Sequence, residues 1–314
     1  MKKKWLGCTL AVILLVIAII SIAFSDTPFK KNVGGIEFMP DVALLQETDP
    51  VPEKAQNTFK DNKNDTLIDD VRIEVLLYHE LAPGGSEEWP VIDPQDFYTQ
   101  INLLLDHGWQ PLTLGEFAAW LQGEGKVEGK SFLLTFDDGG ESIYHYAYPF
   151  LLEKGIPAAV FLIGKYHDPN CHVNEIIWVP KLTDKQIKEM GGSGLIQFQS
   201  HSYNLHREIE GKPAAIVLSP PDVLDDFRKS SKVIKELTGQ QVFSVAYPSG
   251  AINEQVIEIA FEAGFKLGFA GNIQGPVDKT QPMSIKRYPL DNIPLNVFMD
   301  YYDIKDNKAY YEQR

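Results

Sequence analysis

Short apolar runs recur along the body of the chain, each ending near polar or glycine-rich residues: Ile73 to Tyr78, Phe132 to Phe136, Ala158 to Ile163, Leu195 to Phe198, Val242 to Tyr247, Phe265 to Phe269 and Ser284 to Tyr288. Runs this short and this apolar read as buried strands. Between them the apolar positions recur at helical spacing. Asp93-Pro94 pairs an N-cap with a first-turn proline, and Phe97, Ile101, Leu104 and Leu105 share one face before Gly108 stops the helix. Leu114 to Leu121, Ser142 to Lys154, Pro221 to Leu237 and Asn253 to Ala263 read in the same way, the last two closed by Gly239 and Gly264. This alternation predicts an α/β fold with a mostly parallel sheet, either a barrel or an open doubly wound sheet. Both architectures put their chemistry at the C-terminal ends of the strands.

Ahead of that body the pattern changes. Lys2, Lys3 and Lys4 precede an uncharged, apolar run from Trp5 to Phe24. As a helix rising about 1.5 Å per residue it reaches about 30 Å, enough to cross a bilayer. Residues 1–25 therefore read as a signal anchor in preference to a cleaved signal peptide, for which Ala23 and Ser25 offer small residues. In either case the lysines stay on the cytoplasmic side and the rest is exported. Residues 26–70 hold Pro28, Pro40, Pro50, Pro52 and the polar run from Lys60 to Asp65, with little apolar periodicity. They read as an extracytoplasmic stalk, which leaves 71–314 as the folded domain.

Composition narrows the classes. The chain has 314 residues, 44% of them hydrophobic, so it can bury a full core and is not disordered in its bulk. Of its two cysteines, Cys8 lies in the apolar N-terminal run and Cys171 in the body, which excludes an intrachain disulfide framework there. Lys and Arg number 29 against 43 Asp and Glu, a formal charge of −14, with no basic stripe. That balance sets nucleic acid aside as the main partner.

Candidate chemistry sits at the strand ends. Phe132 to Phe136 runs into Asp137-Asp138-Gly139, where one carboxylate can ligate a metal while its neighbour, pointing elsewhere, accepts a proton from water. Leu195 to Phe198 is followed by Ser200-His201-Ser202-Tyr203-Asn204-Leu205-His206. On a helix, five steps of about 100° would leave the two imidazoles about 140° apart, so they converge only if the loop between them bends. Two imidazoles and a carboxylate would make an open three-ligand site of the catalytic zinc type. Tyr78-His79-Glu80 and Tyr247-Pro248-Ser249-Gly250 close two further strands. The polar stretch His167-Asp168-Pro169-Asn170-Cys171-His172 reads as a loop, not a second metal cluster. Trp89, Trp178 and Tyr203 read equally as sugar-stacking faces or packing residues.

Taken together, these motifs resemble the polysaccharide deacetylases of carbohydrate esterase family 4 over about residues 73 to 290. The resemblance rests on Thr135-Phe136-Asp137-Asp138-Gly139, on Tyr148-Pro149, on Gly155-Ile156-Pro157-Ala158-Ala159-Val160-Phe161 and on the two-histidine motif. It implies a deformed (β/α) barrel with its catalytic mouth at the C-terminal strand ends, and a divalent metal, most often Zn2+. It assigns Asp137 as general base and Asp138, His201 and His206 as metal ligands. The five-residue histidine spacing, and a Tyr-His-acid strand ahead of the acidic motif, look most like the branch acting on poly-β-1,6-N-acetylglucosamine. There His79 would protonate the leaving amine and the Ser249 N–H would help hold the oxyanion, with Tyr247 and Arg287 touching substrate or supporting the site.

The chain departs from the family in three places. Ser249 stands where many members carry an aromatic residue. Ser244 to Ala246 stands where they carry an arginine, for which Arg287 is the substitute near Asp137. The Asp-rich fourth motif has only Asn272 and Asp291 as stand-ins. The expected function is metal-dependent N-deacetylation of N-acetylglucosamine in an exported or cell-wall polysaccharide, at the outer face of the membrane. The rivals are an acetyl-ester carbohydrate esterase and a tethered glycan-binding protein.

Overall fold

The computed structural model describes residues 71–86, 90–172, 179–271 and 274–305. The anchor at 1–25, the stalk at 26–70, Trp89, Trp178 and Asn272 lie outside the described residues. Among the described residues no helix is long and apolar enough to cross a membrane.

Eight strands form one sheet: β1 (Arg72–Tyr78), β2 (Gln110–Leu112), β3 (Lys130–Phe136), β4 (Ala158–Leu162), β5 (Ile196–Ser200), β6 (Ser244–Ala246), β7 (Leu267–Phe269) and β8 (Tyr288–Pro289). Their order is β7-β6-β5-β4-β3-β1-β8, with β2 also on β3, and every pairing is parallel. The two ends of this path meet. Ile285 bridges Phe269 of β7 in parallel, and three residues later Tyr288 pairs with Leu76 of β1. The sheet is thus a deformed barrel, closed over a seam only a few hydrogen bonds long.

Helices run between the strands, α1 (Pro94–Asp106), α2 (Leu114–Leu121), α3 (Tyr148–Lys154), α4 (Asp184–Gly192), α5 (Pro220–Thr238, after a single turn at Ala214–Val217) and α6 (Glu254–Glu262), and α7 (Leu295–Tyr301) follows the last strand. Their starts are written in side chains. Asp93 caps α1 by accepting from the Gln95 N–H at 2.8 Å, with Pro94 at the first position. Thr113 and Glu116 form a capping box on α2, and Thr183 and Gln186 form another on α4. The helix expected from Ser142 to Lys154 divides, a π-helical turn at Ile143–Ala147 running into α3.

Period-two alternation sorts the strand residues into two layers. Val75, Leu133, Ala159, Phe161, Ala246, Phe269 and Ile285 form one buried cluster with Phe117 and Leu121 of α2, which fills the barrel from its N-terminal end. Leu76, Tyr78, Leu134, Phe136, Val160 and Phe198 face the other way, against α1, α3 and α4. Each fully buried Leu or Phe of this kind stabilises the fold by about 2 kcal/mol.

Candidate active site at the mouth of the barrel

Continuing the inward rows past the ends of the strands lands on the polar residues of the site. On β3 the row is Leu133, Thr135, Asp137. After β5 it is Gln199, His201. On β1 it is Val75, Leu77, His79, and along the closing seam it is Ile285, Arg287, Pro289, Asp291. All four rows rise on the same side of the pleat, so the parallel register delivers their ends to one mouth.

Asp137 is buried at that mouth, its N–H donating to the Tyr78 carbonyl at 3.0 Å. Arg287 grips its carboxylate with two hydrogen bonds, Nη1 to Oδ1 at 2.8 Å and Nη2 to Oδ2 at 2.7 Å. The guanidinium is itself fully buried and is held by its Nε donating to the Ala270 carbonyl at 2.8 Å. Burial pushes the Asp137 carboxyl up, but the Arg287 charge beside it prevails and holds it below its ordinary value. Asp137 is therefore ionised at neutral pH. The arginine absent before Pro248 is replaced in space by one from the seam.

Asp138 faces away from its neighbour. Its backbone is left-handed, with φ 67°, and Gly139 follows at φ 64°. A Cβ on Gly139 would lie 2.5 Å from the Leu162 side chain, so the Asp-Asp-Gly turn needs glycine there. Asp138 Oδ1 lies 3.3 Å from His201 Nε2 and 3.4 Å from His206 Nε2, yet it is buried without any hydrogen-bond partner. One donor atom from each of these three residues falls within 4.8 Å of the others. The loop does bend: Ser202 adopts φ 65°, and its hydroxyl accepts from the Leu205 N–H at 3.1 Å.

The donor set fits a divalent cation. His201 Nδ1 lies 2.8 Å from the Ala246 carbonyl, which can only accept a hydrogen bond from its N–H, so in the neutral tautomer the free lone pair is on Nε2. Burial pulls His206 down, toward the neutral form that ligates. Burial raises the Asp138 carboxyl, while His206, His201 and Lys181 hold it well below the ordinary range. An orphaned buried carboxylate oxygen ringed by imidazole nitrogens is what a cation would satisfy.

His79 stands opposite Asp137. Its Nδ1 lies 2.9 Å from Asp291 Oδ2, and its backbone N–H donates to Asp291 Oδ1 at 2.8 Å. Burial alone would lower this imidazole, but the Asp291 carboxylate outweighs it and pushes His79 up to about 9. Asp291, read from the sequence as a stand-in for a missing motif, is the residue that orients and charges His79. The signal was present, since Asp291 also follows an inward row at a strand end. Glu80, next in the chain, accepts a hydrogen bond from the Ser142 hydroxyl.

Two expected residues are placed differently from the rest. Tyr247 is buried and its hydroxyl donates to the Met283 carbonyl at 3.0 Å, so its polar atom is spent within the chain beside β7. Its hydroxyl occupies the space beside Gly268, where no Cβ would fit. Ser249 is exposed, in the turn after β6, with a left-handed backbone at φ 55°. Tyr203 donates its hydroxyl to Asp168 at 2.9 Å, and the Lys229 ammonium lies 3.7 Å from its ring centroid, so one face of the ring is taken. His167 is buried, 3.4 Å from Asp184, and among the described residues it joins no cluster able to hold a metal.

Residues 124–268 match the sequence model of the polysaccharide deacetylases. Over 222 residues the chain is 30% identical to YxkH of Bacillus subtilis (strain 168), whose own name assigns it provisionally to the same family. That match covers 69% of this chain and 72% of YxkH. The chain belongs to the polysaccharide deacetylase family. It is accordingly an enzyme of the deacetylase class. Over 181 residues it is 32% identical to the poly-β-1,6-N-acetyl-D-glucosamine N-deacetylase of Staphylococcus aureus (strain N315), covering 57% of this chain and 60% of that enzyme. IcaB from Ammonifex degensii superposes with a TM-score of 0.64 at 25% identity, over 75% of this chain and 98% of that one. The deformed barrel is the fold of these family members. Asp137, Asp138, His201, His206 and Ser249 lie within the span matched by the family model, whereas His79, Arg287 and Asp291 lie outside it.

Proposed function

We propose that the chain removes N-acetyl groups from N-acetylglucosamine residues of an exported or cell-wall polysaccharide, with poly-β-1,6-N-acetylglucosamine as the first substrate to test. The observation that carries this reading is the placement of two oppositely tuned groups, an ionised Asp137 on Arg287 and a charged His79 on Asp291, at the same mouth as the Asp138, His201 and His206 cluster. A pair of titratable groups pushed apart by their surroundings is the signature of an acid and a base with separate tasks. The likeness to the Staphylococcus aureus enzyme supports the choice of polymer.

Asp138, His201 and His206 hold a divalent cation, taken to be zinc, which when bound supplies Lewis-acid polarisation to a water and to the acetamide carbonyl. Asp137 takes a proton from the attacking water, whose oxygen bonds to the carbonyl carbon. The Ser249 backbone N–H donates to the oxygen as it gains charge, a role supported by the left-handed backbone that a non-glycine residue keeps only under constraint. The carbon–nitrogen bond then breaks, and the His79 imidazolium passes its proton to the departing nitrogen. One amide and one water become acetate and an amine, and the polymer gains a positive charge at each site.

The sequence of residues 1–70, read as an anchor and a stalk, supports a site on the outer face of the cytoplasmic membrane. The test is acetate release by the full chain from β-1,6-N-acetylglucosamine oligomers and from chitin oligomers, with chelator and with zinc restored. Chelator-sensitive release that zinc restores is the expected result, with the β-1,6 oligomers preferred. Release from an acetyl ester with none from either amide would overturn the N-deacetylase reading.

A further inference from the structure

The bend that brings His201 and His206 together is not held by the loop alone. On one side the Gly164 and Lys165 N–H groups donate to the Ser202 and Tyr203 carbonyls at 2.9 and 3.0 Å. On the other side stands one face of α5. Asp226, Lys229 and Ser230 are spaced i, i+3, i+4 and so share a stripe of the helix. Asp226 accepts the Tyr203 N–H on Oδ1 at 2.7 Å and the Asn204 N–H on Oδ2 at 2.8 Å. Ser230 shares a hydrogen bond of 2.8 Å with Ser200, the residue before His201. Lys229 pairs with Asp168 at 3.0 Å and lies over the Tyr203 ring.

Tyr203 and Asn204 are the two middle residues of the four that separate the imidazoles. Their amides point away from the mouth, into the carboxylate, so both oxygens of one side chain are spent on fixing the turn of the loop. Such an arrangement has no use for the helix, which Gly239 ends far from this point and which packs adequately through Val223, Phe227 and Ile234. We infer that Asp226 is a positioning residue for the metal centre: by clamping the Tyr203 and Asn204 amides it sets the distance and aim of His206 relative to His201. The inference rests on the metal-binding reading proposed above. Asp226 touches neither imidazole and acts only through the loop.

An asparagine in its place keeps the shape but can accept only one of the two amides well, turning an N–H2 toward the other. The loop then relaxes and the ligand set loosens. The test titrates Co2+ into the purified, chelator-stripped full chain as wild type, D226N, D226A and D225N, reading affinity and the visible ligand-field bands. D226N and D226A should bind Co2+ about tenfold or more weakly, the range found when groups behind metal ligands are removed, with bands shifted and weakened. D225N, which changes the exposed neighbouring carboxylate, should match the wild type in both. Unchanged affinity and bands in D226N and D226A overturn the inference. Amide hydrogen exchange of the metal-loaded wild type decides independently of how well the variants fold: the Tyr203 and Asn204 amides should be strongly protected, and exchange at the rate of an open peptide would overturn the clamp. Absence of Co2+ binding by the folded wild type overturns the metal-centre reading and this inference with it, whereas wild-type binding with indifferent variants overturns the inference alone.

Discussion

The two halves of the mouth are built on opposite rules. On the seam side every titratable group has a counter-charge: Asp137 is saturated by Arg287, and His79 by Asp291. On the loop side the second nitrogen of His201 is tied to a carbonyl, yet Asp138 Oδ1 is left without a hydrogen-bond partner between the imidazoles. Groups that move protons need a pKa set by a fixed neighbour, because their work is to change charge at a given pH. Groups that hold a cation need the reverse, lone pairs aimed at a common point and satisfied by nothing in the chain. Saturation on one side and vacancy of partners on the other thus separate two roles that the residue types alone, carboxylate and imidazole on both sides, would confuse.

The sharpest way to break this contrast is D137N. It should lower kcat by about three orders of magnitude while metal stoichiometry, read by atomic emission, stays that of the wild type. Loss of metal in D137N would mean that the saturated half also ligates. H201A should do the converse, weakening metal affinity by more than about 100-fold in a chelator competition. Unchanged affinity there would remove His201 from the ligand set.

R287M leaves the Asp137 carboxylate buried and unpaired, and chemical denaturation should show a loss of about 3–5 kcal/mol. The acid limb of kcat/KM should move to higher pH, since the guanidinium is foremost, ahead of His201 and His79, among the groups that hold Asp137 down against burial. The double variant D137N/R287M should recover part of the stability while remaining inactive, because no buried charge is then left without a partner.

D291N should have the smallest effect, and it is a matter of pH. With His79 held up to about 9, the wild-type alkaline limb lies near that value. Removing the carboxylate lets burial lower His79, so kcat at pH 8 should fall about tenfold or more while the rate at pH 6 changes less. The stability contribution of the pair follows the same sign. A group raised in the folded state stabilises fully below its ordinary value of about 6.5, and that contribution fades as pH rises through about 9. The gap in Tm between wild type and D291N should therefore narrow from pH 6 to pH 10. A gap that widens would show that the pair is not an ion pair.

Much of the fold is legible because its strands are buried on both faces and flanked by capped helices. Phe132 to Phe136 stands out as a mostly apolar run within Lys130–Phe136, and Leu114–Leu121 is bounded by its capping box. The misreadings have local causes. Gln110–Leu112 was missed because Pro111 demotes a run to non-strand, whereas here it sits in a short strand at the start of β3. Ser284 to Tyr288 reads as one strand, whereas the seam is a bridge at Ile285 and two pairs at Tyr288 and Pro289, with Arg287 between them. The residues of the Asp138, His201 and His206 cluster are legible from motifs. The pairing of His79 with Asp291 is not, because 212 positions separate them and only the closed barrel brings the two rows together. The sequence leaves Tyr247 between touching substrate and supporting the site, and only the structure shows its hydroxyl donating to the Met283 carbonyl.

The seam has a consequence for how the site is completed. Both proton-handling residues and all three proposed ligands precede residue 285, but the cation that tunes Asp137 and the anion that tunes His79 arrive four positions apart on the short stretch that joins Phe269 to Leu76. Closing the barrel is what brings the Arg287 guanidinium to Asp137 and the Asp291 carboxylate to His79.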